Sequence, residues 1–71
     1  MNTNLLKSHI VKHGETQESV AALLGITRGT LSKKMRNNDA DFTQREIMVI
    51  KEHFNLTADD IDGIFFDEKV S

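Results

Sequence analysis

The segment from Thr16 to Arg36, TQESVAALLGITRGTLSKKMR, constrains the fold more than any other part of the chain. Two short amphipathic stretches flank Gly25. Val20, Leu24, Ile26 and Leu31 recur at spacings that put apolar groups on the touching faces of two helices. Ala21 is small where those helices would cross closest, and Gly25 suits the left-handed cap that a sharp inter-helix turn needs. The second stretch holds Arg28, Lys33, Lys34 and Arg36 with no acid among them. A helix presented to DNA phosphates requires such a charge distribution.

The remaining composition sets bounds. Seventy-one residues suffice for one domain, 1–71, and a chain this short buries only about 60% of its unfolded surface. Without cysteine, neither a disulfide nor a thiolate metal site supplements the core. No stretch approaches the roughly 18 apolar residues of a membrane span, and the N-terminus lacks a signal peptide's apolar run. The expectation is a cytoplasmic, nucleoid-associated protein with no membrane partner. A net charge of −2 opposes nucleic-acid binding if taken alone, but its distribution reverses that impression. Residues 57–71 hold Asp59, Asp60, Asp62, Asp67 and Glu68 against Lys69 only. Charges are screened over about 8 Å at physiological salt, so an acidic end need not cancel a distant basic face.

Start and stop signals divide the chain into helices over about 4–13, 16–24, 27–37, 44–54 and 58–64, with a short tail over 66–71. The first buries Leu5, Leu6 and Ile10, with Val11 as a fourth candidate, and Gly14 ends it. Thr16 and Thr27 cap the next two. Ile26–Thr27, Phe42–Thr43 and Leu56–Thr57 each set an apolar residue before a capping threonine. Leu31, Ile47 and Ile61 follow at the position where a hydrophobic staple closes. Thr43 with Glu46 forms a capping box, and Thr57 with Asp60 a weaker version. Helix four offers Ile47, Ile50 and Phe54 to the core and ends at Asn55 in a left-handed conformation. Helix five contributes Ile61, Ile64 and Phe65. No stretch alternates long enough for a strand, so the expected fold class is all-α.

The turn Leu24-Gly25-Ile26-Thr27 favours a steep crossing over an antiparallel hairpin, which lets the third helix protrude into a major groove. With Leu31 and Met35 turned inward, that helix presents Arg28, Gly29, Ser32 and Lys33 to base edges. An arginine near its N-terminus can grip guanine O6 and N7 together, worth about 1–3 kcal/mol of discrimination. Gly29 is read either as room for close backbone approach or as a tolerated weak helix former. Thr16, Gln17, Thr27 and Thr30 near two helix N-termini, with Arg36 and Asn37, are the phosphate candidates. For Thr27, capping alone is the stronger explanation.

These residues resemble the helix-turn-helix of the phage repressor and Cro superfamily, often called the XRE family. Gln17-Glu18-Ser19-Val20-Ala21 resembles the family's Gln-Glu-x-apolar-Ala. Leu24-Gly25-Ile26-Thr27-Arg28 is similar to its apolar-Gly-apolar-Ser/Thr-Arg turn, and Leu31-Ser32 to its apolar-Ser pair. The resemblance covers roughly residues 4–65. It implies a compact five-helix, lambda-repressor-like domain with the helix-turn-helix in helices two and three. Gln17 would clamp a phosphate, and Arg28, Gly29, Ser32 and Lys33 would face the groove. It further implies a sequence-specific transcriptional regulator on a double-stranded operator, with homodimerisation on the DNA. The tail Ile64-Phe65-Phe66 with its charged run looks like short regulators of phages and prophages of Gram-positive bacteria. The chain departs from the family at Lys34, where members usually carry a large apolar residue such as tryptophan. Met35 is the neighbour able to fill that place, which would turn the helix slightly.

Two other classes compete. An antirepressor or co-repressor would use this fold to bind a partner regulator, with Phe65, Phe66 and Val70 as a dimer or partner surface. For Phe65, covering the core is the preferred reading. An enzyme is disfavoured, because no glycine-rich phosphate loop, nucleophile elbow or metal motif occurs, and no cofactor is implied. His9 and His13 are four apart but lack a third ligand nearby. Asp60-Ile61-Asp62-Gly63 fails as a calcium loop: with Gly63 at the turn, Ala58 falls first and Lys69 twelfth, where carboxylates are needed.

Overall fold

The computed structural model describes residues 2–36 and 42–66. Within them lie five helices and no strand: α1 (Thr3–Lys12), α2 (Gln17–Leu24), α3 (Arg28–Arg36), α4 (Gln44–His53) and α5 (Ala58–Phe65). Among the described residues no helix is long and apolar enough to cross a membrane.

Side-chain caps start the helices. The Thr43 hydroxyl accepts from the Glu46 amide at 3.1 Å while the Glu46 carboxylate accepts from the Thr43 amide at 2.9 Å. Thr57 and Asp60 form an equally complete box, so the version expected to be weaker is fully made. Thr16 pairs in the same way with Ser19, a partner the sequence pattern does not announce. At α3 the Thr27 hydroxyl accepts from the Thr30 amide at 3.1 Å. Asn2 caps α1, which therefore begins one residue before its expected start.

Three helices end by one device. Gly14, Gly25 and Asn55 hold φ of 72°, 76° and 54°. Around each, two amides fold back on the last turn: Gly14 to Val11 and Glu15 to Ile10, Gly25 to Ala22 and Ile26 to Ala21, Asn55 to Glu52 and Leu56 to Lys51. These paired bonds are Schellman motifs, which satisfy carbonyls that would otherwise lack partners. Each left-handed residue thus turns the chain without an extended loop.

The core gathers Leu6 and Ile10 of α1, Val20, Ala21 and Leu24 of α2, and Leu31 and Met35 of α3. Ile50 of α4, Phe54 and Leu56 of the following connection, and Ile61, Ile64 and Phe65 of α5 close it with Phe42, whose ring meets Phe65 edge-on at 5.2 Å. The staple residues Ile26 and Ile47 pack against it half-buried. Val11 stands 74% exposed, so the buried stripe of α1 is Leu6 and Ile10, with Leu5 at its edge. A residue adjacent to Ile10 lies about 100° round a helix and leaves the buried side. Phe65, named as a partner-surface candidate, lies in the core as preferred for it, because α5 runs on through it and sets it about one turn past the buried Ile61. Two bonds between distant segments close the bundle: the Asn2 amide donates to the Ile64 carbonyl at 2.7 Å, and the Thr3 hydroxyl to the Met35 carbonyl.

Candidate nucleic-acid interface

Helix α3 divides cleanly. Leu31 is fully buried and Met35 nearly so, four residues apart on one face. Away from them, Arg28, Gly29, Thr30, Lys33 and Arg36 are exposed, and Ser32 is half-buried. Among the described residues, no carboxylate lies within 4.0 Å of Arg28, Lys33 or Arg36. Charged side chains without internal partners keep their full hydration and remain available to phosphate. A Cβ on Gly29 would meet nothing closer than the Thr27 hydroxyl at 4.0 Å. Packing therefore does not demand glycine there.

Lys34 behaves differently from its neighbours. Its Nζ donates to Glu46 Oε1 at 3.3 Å and sits 5.8 Å from the centre of the Phe42 ring. The stretch from Arg28 to Arg36 contains no acid, but the fold supplies one from α4. Of the four positive charges read as unopposed, three have no carboxylate in range among the described residues, and the fourth is paired. A lysine on the Leu31/Met35 side of the helix lays its methylene stem over apolar surface and needs a partner for its ammonium.

Of the phosphate candidates, Thr16, Gln17, Thr27 and Thr30 lie at the N-terminal ends of α2 and α3, and Arg36 at the C-terminal end of α3. Thr16, Gln17 and Arg28 line one groove of about 510 Å³, together with Lys7, Val11, Glu15 and Glu18. Gln17 is half-buried and makes no side-chain hydrogen bond among the described residues. The Thr27 hydroxyl donates to that of Thr30 at 2.9 Å, so the Thr30 proton remains free to donate outward. Asn37 lies outside the described residues. Lys7 escaped the sequence reading: a lone lysine on α1 gives no signal until the fold sets it beside Gln17 and Arg28.

The groove also brings two carboxylates near Arg28, which lowers its positive potential. Glu15 is engaged twice: one oxygen accepts from the Ser19 hydroxyl at 2.8 Å and the other meets His53 Nε2 at 2.8 Å. The Ser19 bond first, and His53 second, hold its carboxyl below the usual carboxylate range. His13 Nδ1 donates to the His9 carbonyl at 2.8 Å and its ring packs edge-on against Phe54 at 4.9 Å, and His53 flanks the same ring at 5.0 Å.

A second groove, about 470 Å³, runs between α4 and α5 and is lined by Phe42, Ile47, Met48, Lys51, Ile61 and Phe66 among others. Phe66 is 58% and Met48 48% exposed, so Phe66 keeps its surface position while Phe65 does not. Val70 lies outside the described residues. Compared with protein-family models, curated proteins and solved structures, the chain matches none of them.

Proposed function

We propose that this protein is a sequence-specific DNA-binding transcriptional regulator of the Cro/repressor kind, with α2 and α3 as its helix-turn-helix. The observation that carries the reading is the two-sided character of α3. Leu31 and Met35 anchor one side in the core, while Arg28, Lys33 and Arg36 face water with no carboxylate in range among the described residues. In this reading the N-terminal part of α3 enters the major groove. Arg28, Ser32 and Lys33 meet base edges, and the open surface over Gly29 lets the backbone approach. Thr16, Gln17, Thr27, Thr30 and Arg36 hold the flanking phosphates, joined by Lys7. Regulation follows from occupancy: a bound protein excludes polymerase or a rival regulator from an operator, here of a phage or prophage. Two copies on a two-fold operator would read half-sites about 34 Å apart. The reading is of a binding protein, not an enzyme, for it draws only on charge, shape and hydrogen bonding.

The test is a salt titration on a duplex. Affinity should fall by about 10³–10⁵-fold between 50 and 200 mM salt if six or more phosphates are contacted, and proportionally less for fewer. A flat titration contradicts it.

A second reading rests on the α4–α5 groove. Exposed Met48 and Phe66 beside Ile47 and Ile61 suit a protein partner, either another copy or a partner regulator to which this chain is antirepressor or co-repressor. It is tested by sedimentation of Met48→Ser and Phe66→Ser variants with and without DNA. Unaltered self-association and DNA-bound stoichiometry would assign the groove no role.

A further inference from the structure

The carboxylate of Glu46 is the only charged side chain buried among the described residues, at 7% exposure. One of its oxygens, Oε1, accepts both the Thr43 amide at 2.9 Å and the Lys34 ammonium at 3.3 Å. The first bond closes the N-terminus of α4, and the second reaches across to α3. Lys34 lies three residues from Leu31 and one from Met35, on the inward side of α3, with its ammonium near the Phe42 ring. A capping carboxylate needs no lysine, and Glu46 would close its box without one. A lysine on that side of the helix does need an acid, because its ammonium would otherwise be drawn out toward solvent and turn the helix with it.

We propose that the Lys34–Glu46 pair is a positioning element that fixes the rotation of α3 on α4 and withdraws Lys34 from the DNA-facing set. It thereby leaves Arg28, Lys33 and Arg36 as the charges that α3 brings to DNA, and sets which side chains meet base edges. The inference rests on the DNA-binding reading, and it concerns a residue that the sequence groups among the four unopposed positive charges of this helix. Lys34 is in this sense a positioning residue that touches no nucleic acid.

Two measurements test it. The first needs no DNA: thermal unfolding of wild type, Lys34→Met, Glu46→Gln and the double variant. Gln keeps the capping geometry and Met fills the apolar side, so all four fold. Coupling requires that the double variant lose less than the sum of the single losses, by a few degrees; additive losses overturn the pair. The second is the salt slope and base preference of each variant on a random-sequence duplex library. Lys34→Met should leave the slope of log affinity against log salt unchanged, whereas Lys33→Ala should reduce it by about 0.9 for one lost phosphate contact. Glu46→Gln should steepen the slope by up to about 0.9 as the released ammonium reaches phosphate, and blur the selected motif. The double variant should restore both. A slope reduced by about 0.9 in Lys34→Met makes Lys34 a phosphate contact and overturns the proposal alone. Failure of the wild type to bind any duplex overturns the DNA-binding reading, and the positioning role with it, whatever the unfolding data show of the pair.

Discussion

The Thr3 hydroxyl donates to the main-chain carbonyl of Met35, so the first turn of α1 closes the last turn of α3. A helix leaves its final carbonyls without internal partners, and α3 receives one of its caps from a segment 32 residues away. Thr3→Val keeps the shape and removes the donor. It should cost about 0.5–1.5 kcal/mol, the usual worth of one hydrogen bond. In a domain of this size that is a drop of about 4–8 °C in Tm per kcal/mol. An unchanged thermal midpoint would mean that solvent caps Met35 equally well.

The exposed glycines Gly25 and Gly29 should respond oppositely to alanine. Gly25 has φ of 76° with open space around its Cβ position, so Gly25→Ala suffers only the backbone penalty, about 1–2 kcal/mol. Gly29 lies inside α3 without that constraint, so Gly29→Ala should stabilise by about 0.5–1 kcal/mol. If close approach to DNA is the reason for glycine there, the stabilised variant nevertheless binds duplex more weakly. Equal or tighter binding would leave Gly29 as a tolerated weak point in the helix.

Acid should loosen the protein through two carboxylates. Bonds from Ser19 and His53 lower the Glu15 pKa below its ordinary 4.5, and the Thr57 amide and hydroxyl lower that of Asp60 below its ordinary 3.8. A carboxyl with a lowered pKa binds fewer protons folded than unfolded. Its contribution is complete above the ordinary value and is lost as pH falls through the lowered one. The midpoint of thermal unfolding should therefore stay level down to about pH 4.5 and decline below it. Asp60→Asn and Glu15→Gln should each flatten that decline. An acid limb of unchanged slope in both variants would move the acid sensitivity elsewhere.

Phe65 and Phe66 are neighbours with separate tasks. Phe65→Ala empties a core site and should cost about 3–5 kcal/mol. Phe66→Ala should change stability by less than about 0.5 kcal/mol, since its ring faces solvent beside Met48. Urea unfolding of both variants separates the roles, and comparable losses would place Phe66 in the core as well.

Most of the helical framework is legible in the sequence because its punctuation is local. Thr43 and Thr57 announce their helices through partners three residues on, Thr16 by its residue type alone, and Gly14, Gly25 and Asn55 mark ends by the conformations they accept. The inward set Val20, Leu24, Leu31, Ile50 and Ile64 follows from helical period alone. Tertiary pairings leave no such trace. Nothing in the sequence joins Thr3 to Met35, His53 to Glu15, or Lys34 to Glu46, because each pairing depends on where two helices come to lie. The candidate interface shows the same division. The outward run on α3 is periodic and readable, while Lys7 beside Gln17, and Glu15 and Glu18 beside Arg28, are products of packing. Single helical steps decide the remaining positions: Val11, one step past Ile10, faces water, and Phe65, one step past Ile64, still reaches the core.

The central claim is direct reading of DNA sequence by α3, and Arg28 is its most exposed test. Binding sites selected from a random duplex library by wild type and by Arg28→Ala address it and require no defined operator. The account predicts an enriched, roughly palindromic motif for the wild type, with guanine preference blurred at one position per half-site in the variant. Loss of that contact should lower discrimination there by about 1–3 kcal/mol. No enrichment by the wild type, or an identical motif from both proteins, would contradict it.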